Sequence, residues 1–149
     1  HRWSGSTAER AALMYNSIFV PTLMVDEDKL KNAVSAARLL LSEGGTITLL
    51  HVIEEMPAYV DSFVPADVII TNTEEVNAML REAATPLGDD LKTSVVKGHA
   101  GRTILSEAKE TAADLIIVAS HRPGLADYFL GSTASHVVRH SICPVLVLR

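Results

Sequence analysis

Backbone and side-chain donors concentrate in one stretch, Ala119-Ser120-His121-Arg122-Pro123-Gly124, which Leu125 to Leu130 join to Gly131-Ser132-Thr133. A glycine lets the backbone approach a phosphate, and the amides and hydroxyls of a helix N-terminus supply donors within a favourable dipole. An anion is therefore expected beside this loop, although Gly131-Ser132 also suits plain entry into a helix. Arg122, and His121 when protonated, would add charge-assisted contacts to a phosphate, or else stand as solvated loop residues. Other phosphate and acyl chemistries lack their motifs. There is no Gly-x-x-x-x-Gly-Lys-Ser/Thr, no Gly-x-Gly-x-x-Gly after a strand, and no Gly-x-Ser-x-Gly around Ser132.

The remaining reactive residues are weaker candidates. His136 and His140 stand four apart and share a helical face, but no third ligand for a metal is evident, and a histidine near a helix C-terminus suits the dipole there. His51 and His99 read as a strand-end residue and a loop residue. Cys143 is the only cysteine, which excludes an intramolecular disulfide and suits a small core residue. A net charge of -5 without a Lys/Arg cluster argues against a nucleic-acid partner. No apolar run approaches the roughly 18 to 20 residues of a membrane helix, and no signal segment opens the sequence. The expected location is the cytoplasm, with no membrane contact.

The elements that must position these residues follow from periodicity. Ser17 to Pro21 is a short apolar strand, with proline tolerable only at its end. Leu30, Ala33, Val34, Ala37, Leu40 and Leu41 recur at helical spacing behind acidic Asp26, Glu27 and Asp28, and Gly44-Gly45 is expected to stop that helix. Thr46 to Ile53 is a nearly continuous apolar strand, the pattern of a parallel sheet covered on both faces. Glu54 to Asn72 reads as a loop entering a helix that continues through Val76, Met79, Leu80 and Ala83 to Pro86-Leu87-Gly88. Thr93 to Val96 is a third strand, Ile104 to Ala112 a helix, and Leu115 to Ala119 a fourth, central strand. Ser132 to His140 reads as a short helix and Val145 to Leu148 as the last strand.

With 149 residues, 48% of them hydrophobic and 21% charged, the chain suits one α/β domain over residues 14–149. Residues 1–13 read as a stretch added to the natural protein or as a disordered arm. The β-α-β-α order calls for right-handed crossovers and a doubly wound, mostly parallel sheet. Ligands in such sheets lie beyond the carboxyl ends of the strands, where the loops after Val20, Val52 and Ala119 converge. The last strand, at the sheet margin, would leave an apolar edge that a second copy of the chain would cover.

The stretch VASHRPGLADYFLGSTASHVVRHSICPVLVLR resembles the C-terminal signature of the universal stress proteins. SIFVP, TITLLHVI, KGHAG and ADLIIVAS fall in that family's order and spacing, so the likeness spans Met14 to Arg149. It implies a Rossmann-like, adenine-nucleotide alpha hydrolase-like sheet of five strands in the order 3-2-1-4-5, and dimers joined through the last strand. In one branch it also implies bound ATP or AMP, with Mg2+ accompanying ATP. The SHRP form, with its Tyr and LGS, is similar to the UspF- and UspG-like members. A nucleotide would be contacted by Pro21, Thr22, Leu23, Val52, Ala119, Ser120, His121, Arg122, Gly131, Ser132 and Thr133.

Two departures bear on that implication. Nucleotide-binding members carry Gly, two residues, Gly, nine residues and Gly-Ser, whereas Ala119 and Arg122 stand at the two glycines here and eight residues separate Arg122 from Gly131. They also carry an Asp soon after strand one, where this chain has Leu23; Asp26 lies too far along, leaving backbone groups of Thr22 and Val52 for the base. No residue stands out as a general base, so a bound nucleotide implies a sensor or at most slow hydrolysis. The resemblance thus implies a cytoplasmic stress-response protein reporting a nucleotide to a regulatory partner. The alternatives are a scaffold of the same fold without nucleotide, and a slow ATP hydrolase.

Overall fold

Among the described residues, five strands alternate with four α-helices: β1 (Tyr15–Pro21), α1 (Glu27–Leu40), β2 (Leu41–Glu54), α2 (Ala66–Ala84), β3 (Lys92–Gly98), α3 (Ala100–Glu110), β4 (Leu115–Ala119), α4 (Ser132–His140) and β5 (Val145–Leu148). The computed structural model describes residues 14–22, 27–54, 66–119 and 130–149, with side chains from 73 onward in α2. The strands form one sheet in the order β3-β2-β1-β4-β5, and every pair in it is parallel. This is the 3-2-1-4-5 order that the resemblance implies.

The strands' alternation sends one set of side chains to each face. Ile18 and Val20 of β1, Ile47 and Leu49 of β2, and Leu115 and Ile117 of β4 share a buried cluster with Leu30, Ala33, Val34 and Ala37 of α1 and Leu80 and Ala84 of α2. Phe19, Leu50, Ile116 and Val118 point the other way and pack with Ile104 and Ala108 of α3 and Ala134 and Val137 of α4. A large apolar side chain fully withdrawn from water contributes about 1.5–3 kcal/mol. Such residues lie on both faces: Phe19, Leu50 and Ile116 on one, Ile18, Leu49 and Ile117 on the other. The central strands are therefore apolar at successive positions, as a sheet covered on both sides demands.

The first helix ends earlier than the glycine pair suggests. It stops at Leu40, and β2 begins at Leu41, which pairs with Tyr15 before the register slips, so that Ser17 pairs with Thr46. Five steps along β2 are thus accommodated against two along β1. Gly44 supplies a φ of +79° within this bulge, and a Cβ on Gly45 would lie 2.6 Å from Leu41 Cδ1 and 3.0 Å from the Asn16 carbonyl oxygen. The pair therefore serves the strand's irregularity rather than the helix's end. Buried Ser42 donates its hydroxyl to Asn16 Oδ1 at the same place. Helix α2 begins at Ala66, so Val68-Ile69-Ile70 already belong to it; the loop expected ahead of it falls largely outside the described residues.

Asp114 fastens the sheet's centre. Its two carboxylate oxygens accept the amides of Asn16 (2.8 Å) and Ser17 (2.9 Å), while its own amide donates to the Ser17 carbonyl at 2.9 Å. The start of β4 is thereby set against the start of β1, ahead of the Ile18–Leu115 and Phe19–Ile116 pairs. Helix α3 ends with paired closing bonds, Ala113 amide to Ala108 carbonyl (2.8 Å) and Ala112 amide to Lys109 carbonyl (3.2 Å). That closure requires a left-handed residue, and Ala112 adopts it at φ +54° where glycine is usual.

Candidate functional site

The covering helices locate the switch point. α1 and α2 lie on one face and α3 and α4 on the other, so the chain leaves β1 toward one side and β4 toward the opposite side. β1 and β4 are neighbours, and a crevice opens between their carboxyl ends in sheets wound this way.

Strand register puts named residues on this rim. Pro21 pairs with Leu50, so Thr22 stands level with His51; continuing the Ile18–Leu115 and Phe19–Ile116 pairs puts Thr22 level with Ala119 as well. Ala119 in turn pairs with Leu148. Thr22 donates its amide to the Leu50 carbonyl at 2.8 Å, and its own carbonyl meets His51 Nδ1 at 2.8 Å. A carbonyl only accepts, so Nδ1 carries the proton and Nε2 is the unprotonated nitrogen of the neutral ring. His51, legible in the sequence only as a strand-end residue, thus anchors the exit of β1.

The expected binding residues divide into three groups. Pro21, Thr22 and Ala119 lie at the ends of the two switch-point strands, and Val52 lies on β2 one residue beyond His51, packed against the core on the α3/α4 face. Gly131, Ser132 and Thr133 start α4, whose Ala134 shares a buried cluster with Phe19 of β1 and Val118 of β4. Leu23, Ser120, His121 and Arg122 lie outside the described residues.

The start of α4 has the features that an anion uses. Gly131 is its N-cap, at φ -56° and ψ 156°, and no side chain caps the helix among the described residues. Ser132 is exposed and Thr133 half-buried. Ser135 anchors the entry by donating its amide to the Gly131 carbonyl (2.8 Å) and its hydroxyl to the Leu130 carbonyl (3.2 Å). A Cβ built on Gly131 meets nothing within 4 Å. The backbone angles there suit any residue, so neither strain nor crowding within the described residues calls for glycine.

The other candidates resolve differently. His99 caps α3, its Nδ1 accepting the Arg102 amide at 3.4 Å. His136 and His140 do share a face, with ring centroids 4.6 Å apart, and His99 stands edge-on to His136 at 5.9 Å. Among the described residues no group of three or more His, Cys, Asp or Glu could hold a metal ion. Burial pushes the His136 imidazole below its usual pKa, with positive His140, His99 and Arg102 adding to the effect. Half-buried Cys143 packs at the edge of the core, its sulfur 3.4 Å from the Ser141 hydroxyl oxygen.

An open hollow of about 360 Å³ lies between Arg81, Thr85, Asp89 and Thr93. Leu91 and Thr93 lie just before and within the start of β3, so this hollow belongs to the rim opposite the strand exits. Beside it Arg38 grips Asp90 through two 2.9 Å hydrogen bonds and also donates to the Leu87 carbonyl at 2.7 Å. The guanidinium holds the Asp90 carboxyl below the usual carboxylate range. Among the described residues, no helix is long and apolar enough to cross a membrane.

A five-stranded parallel sheet of this order, wound on both faces, defines a Rossmann-like α/β protein. The family model described as the universal stress protein family matches residues 14–149, and the chain belongs to that family. It is 30% identical over 142 residues to universal stress protein G of Escherichia coli O157:H7, covering 91% of this chain and all of that protein. The solved structure of hypothetical protein MJ0577 superposes with a TM-score of 0.74 at 26% identity, over 91% of this chain and 96% of that one. A universal stress protein solved in complex with cAMP shares the fold at a TM-score of 0.60 and 24% identity, over 91% of this chain and 98% of the other.

Proposed function

We propose that this protein binds an adenine nucleotide, ATP or AMP, as a sensor, with phosphates at the start of α4 and the base near Thr22 and Val52. What supports the reading most is the coincidence of a switch-point rim with a helix start that, among the described residues, no side chain caps and no atom crowds at its glycine. Amides and hydroxyls of Ser132 and Thr133 offer donors at the positive end of the helix dipole. His121 and Arg122 belong to the same reading as charge-assisted partners that offset the missing glycines at Ala119 and Arg122. Mg2+ would accompany ATP on its phosphate oxygens. A relative of the same fold binding cAMP gives the reading a precedent in chemical class.

In this proposal the chain falls in the UspF- and UspG-like branch, a reading that the SHRP form of its signature supports. The protein acts in the cytoplasm as a homodimer joined along β5, whose four residues are all half-buried within one copy. It signals to a protein partner by way of dimer state or surface loops. No residue assigned to the site stands out as a general base, so the reading is a sensor, or at most a slow hydrolase.

Purification without added ligand, denaturation and mass spectrometry of the released small molecules test this directly. An adenine nucleotide, together with a rise in Tm on adding millimolar ATP and magnesium or AMP, supports the sensor. Absence of both favours the scaffold, to which Leu23, Ala119 and Arg122 point. Phosphate release over hours, abolished by a change at Ser132, would show the hydrolase instead.

A further inference from the structure

One side-chain cluster lies outside that site and takes no part in it. The seam between α3 and α4 is close at Gly101, where an added Cβ would stand 2.7 Å from His136 Cδ2, 3.0 Å from its Cγ and 3.1 Å from its Cβ. The imidazole of His136 therefore rests directly on the backbone of the first turn of α3. Around it stand His99, edge-on at 5.9 Å with an interplanar angle of 69°, and His140, tilted at 4.6 Å. Three imidazoles thus meet at one helix–helix contact, and neutral rings pack there as ordinary aromatic neighbours.

The charges around His136 do not favour its protonation. From α3 it faces His99 and Arg102, and from its own helix His140, all positive once protonated. Arg139 follows on the same helix, and exposed Lys97 precedes His99 at the end of β3. The carboxylates of α3, Glu107 and Glu110, lie five or more residues beyond Arg102, on the order of 7 Å or more along the axis. β5, which packs on α4, has no titratable side chain within Val145–Leu148, and half-buried Cys143 precedes it.

We propose that His136, seated on Gly101 between His99, His140 and Arg102, forms a proton-operated latch between α3 and α4, closed when its imidazole is neutral and loosened in a mildly acidic medium. Protonation would seat a positive ring beside a guanidinium, and among the described residues the charges that act on His136 are all positive; exposed Glu54, which pairs with Gly98 at the end of β2, stands on the His99 side of the cluster. The His136 ring would then leave its seat over Gly101, taking the middle of α4 away from α3. None of the latch's members lies among the residues assigned to the nucleotide, but His136 and Ser132 share one short helix, so the latch is tested without nucleotide.

The sign follows from the lowered affinity of folded His136 for a proton. Above the ordinary imidazole value of about 6.5 both folded and unfolded chains are neutral here, and the seam has its full stability. As pH falls from there toward the lower folded value, the unfolded chain takes up the proton first, and stability declines. Below the folded value the decline levels off.

Two NMR measurements on the intact protein without nucleotide test the latch. A histidine titration should place the His136 midpoint below about 6.5, and His140→Gln should raise it by removing a positive neighbour. Amide exchange at residues 135–139, corrected for intrinsic rates, should quicken roughly three- to tenfold between about pH 7.5 and 5.5 in the wild type, and change by less than about twofold in His136→Gln. If His136→Gln fails to fold, His99→Gln gives the same readout with a reduced quickening. A His136 midpoint at or above the ordinary value, or equal quickening in wild type and variants, overturns the proposal.

Discussion

Replacing Gly131 with valine separates binding from folding at the start of α4. Among the described residues nothing stands within 4 Å of an added Cβ, and φ -56° with ψ 156° is a backbone that valine adopts readily. Valine is a poorer N-cap than glycine by roughly 0.5–1 kcal/mol, while restricting the unfolded chain returns about 0.4–1 kcal/mol. The two nearly cancel, so Tm should stay within about 2 °C of wild type, given about 2–4 °C per kcal/mol for a chain of this length. A bound phosphate would meet the new side chain and lose one or two charge-assisted hydrogen bonds of about 1.5–3 kcal/mol each. With tenfold in Kd for every 1.4 kcal/mol, nucleotide affinity should fall at least about tenfold and as much as roughly twenty-thousandfold. Isothermal titration with ATP and magnesium, and with AMP, at one fixed salt concentration measures the first quantity; thermal unfolding without ligand measures the second. Equal affinity in wild type and variant would remove Gly131 from the site, and a loss of stability of several degrees would refute the claim that its surroundings are open.

Further substitutions probe the frame that holds this rim. Ala112→Gly should stabilise the protein by about 0.5–1 kcal/mol in denaturant unfolding, because a residue at φ +54° closes α3 and the left-handed region disfavours a Cβ. Gly101→Ala should destabilise it by roughly 1 kcal/mol, since wedging a methyl beneath His136 costs about 1–3 kcal/mol against at most about 1 kcal/mol of helix propensity gained; the same titration checks it. For Asp90, held below the usual carboxylate range by Arg38, the pair's contribution is present above the ordinary value of 3.8 and fades as pH falls through the folded one. Asp90→Asn should accordingly lower the neutral side of a Tm-against-pH curve slightly and leave its acid end unchanged, so that the curve falls less steeply toward acid.

The parts of this molecule written in local pattern were legible from the chain. Leu115–Ala119 reads as a central strand because both its faces are apolar, and it is buried from Leu115 to Val118. The helix from Ser132 to His140 falls on the residues expected, since its apolar spacing and flanking glycine are local signals. Gly44-Gly45 misleads for a related reason: a glycine pair after an apolar stripe signals a helix end, whereas the determining contact here is a pairing with Tyr15 and Asn16, some 26 residues earlier. His51 and Asp114 carry no local signal of their roles. Their partners, the Thr22 carbonyl and the Asn16 and Ser17 amides, come from distant stretches of chain and meet them only once the strands are in register. The strand order came from the family likeness, because periodicity names strands without ranking neighbours.

The adjacency of β1 and β4 also shapes how the chain is made. Synthesis delivers β1 and its β2 neighbour early, while the strand that covers the other side of β1 emerges about a hundred residues after it. At ribosomal speeds of about 5–20 residues per second, the Ile18-Phe19 flank waits on the order of 5–20 s as a bare hydrogen-bonding margin, open to the wrong strand or the wrong molecule. The arrival of Asp114, which takes hold of Asn16 and Ser17 together, ends that vulnerable interval.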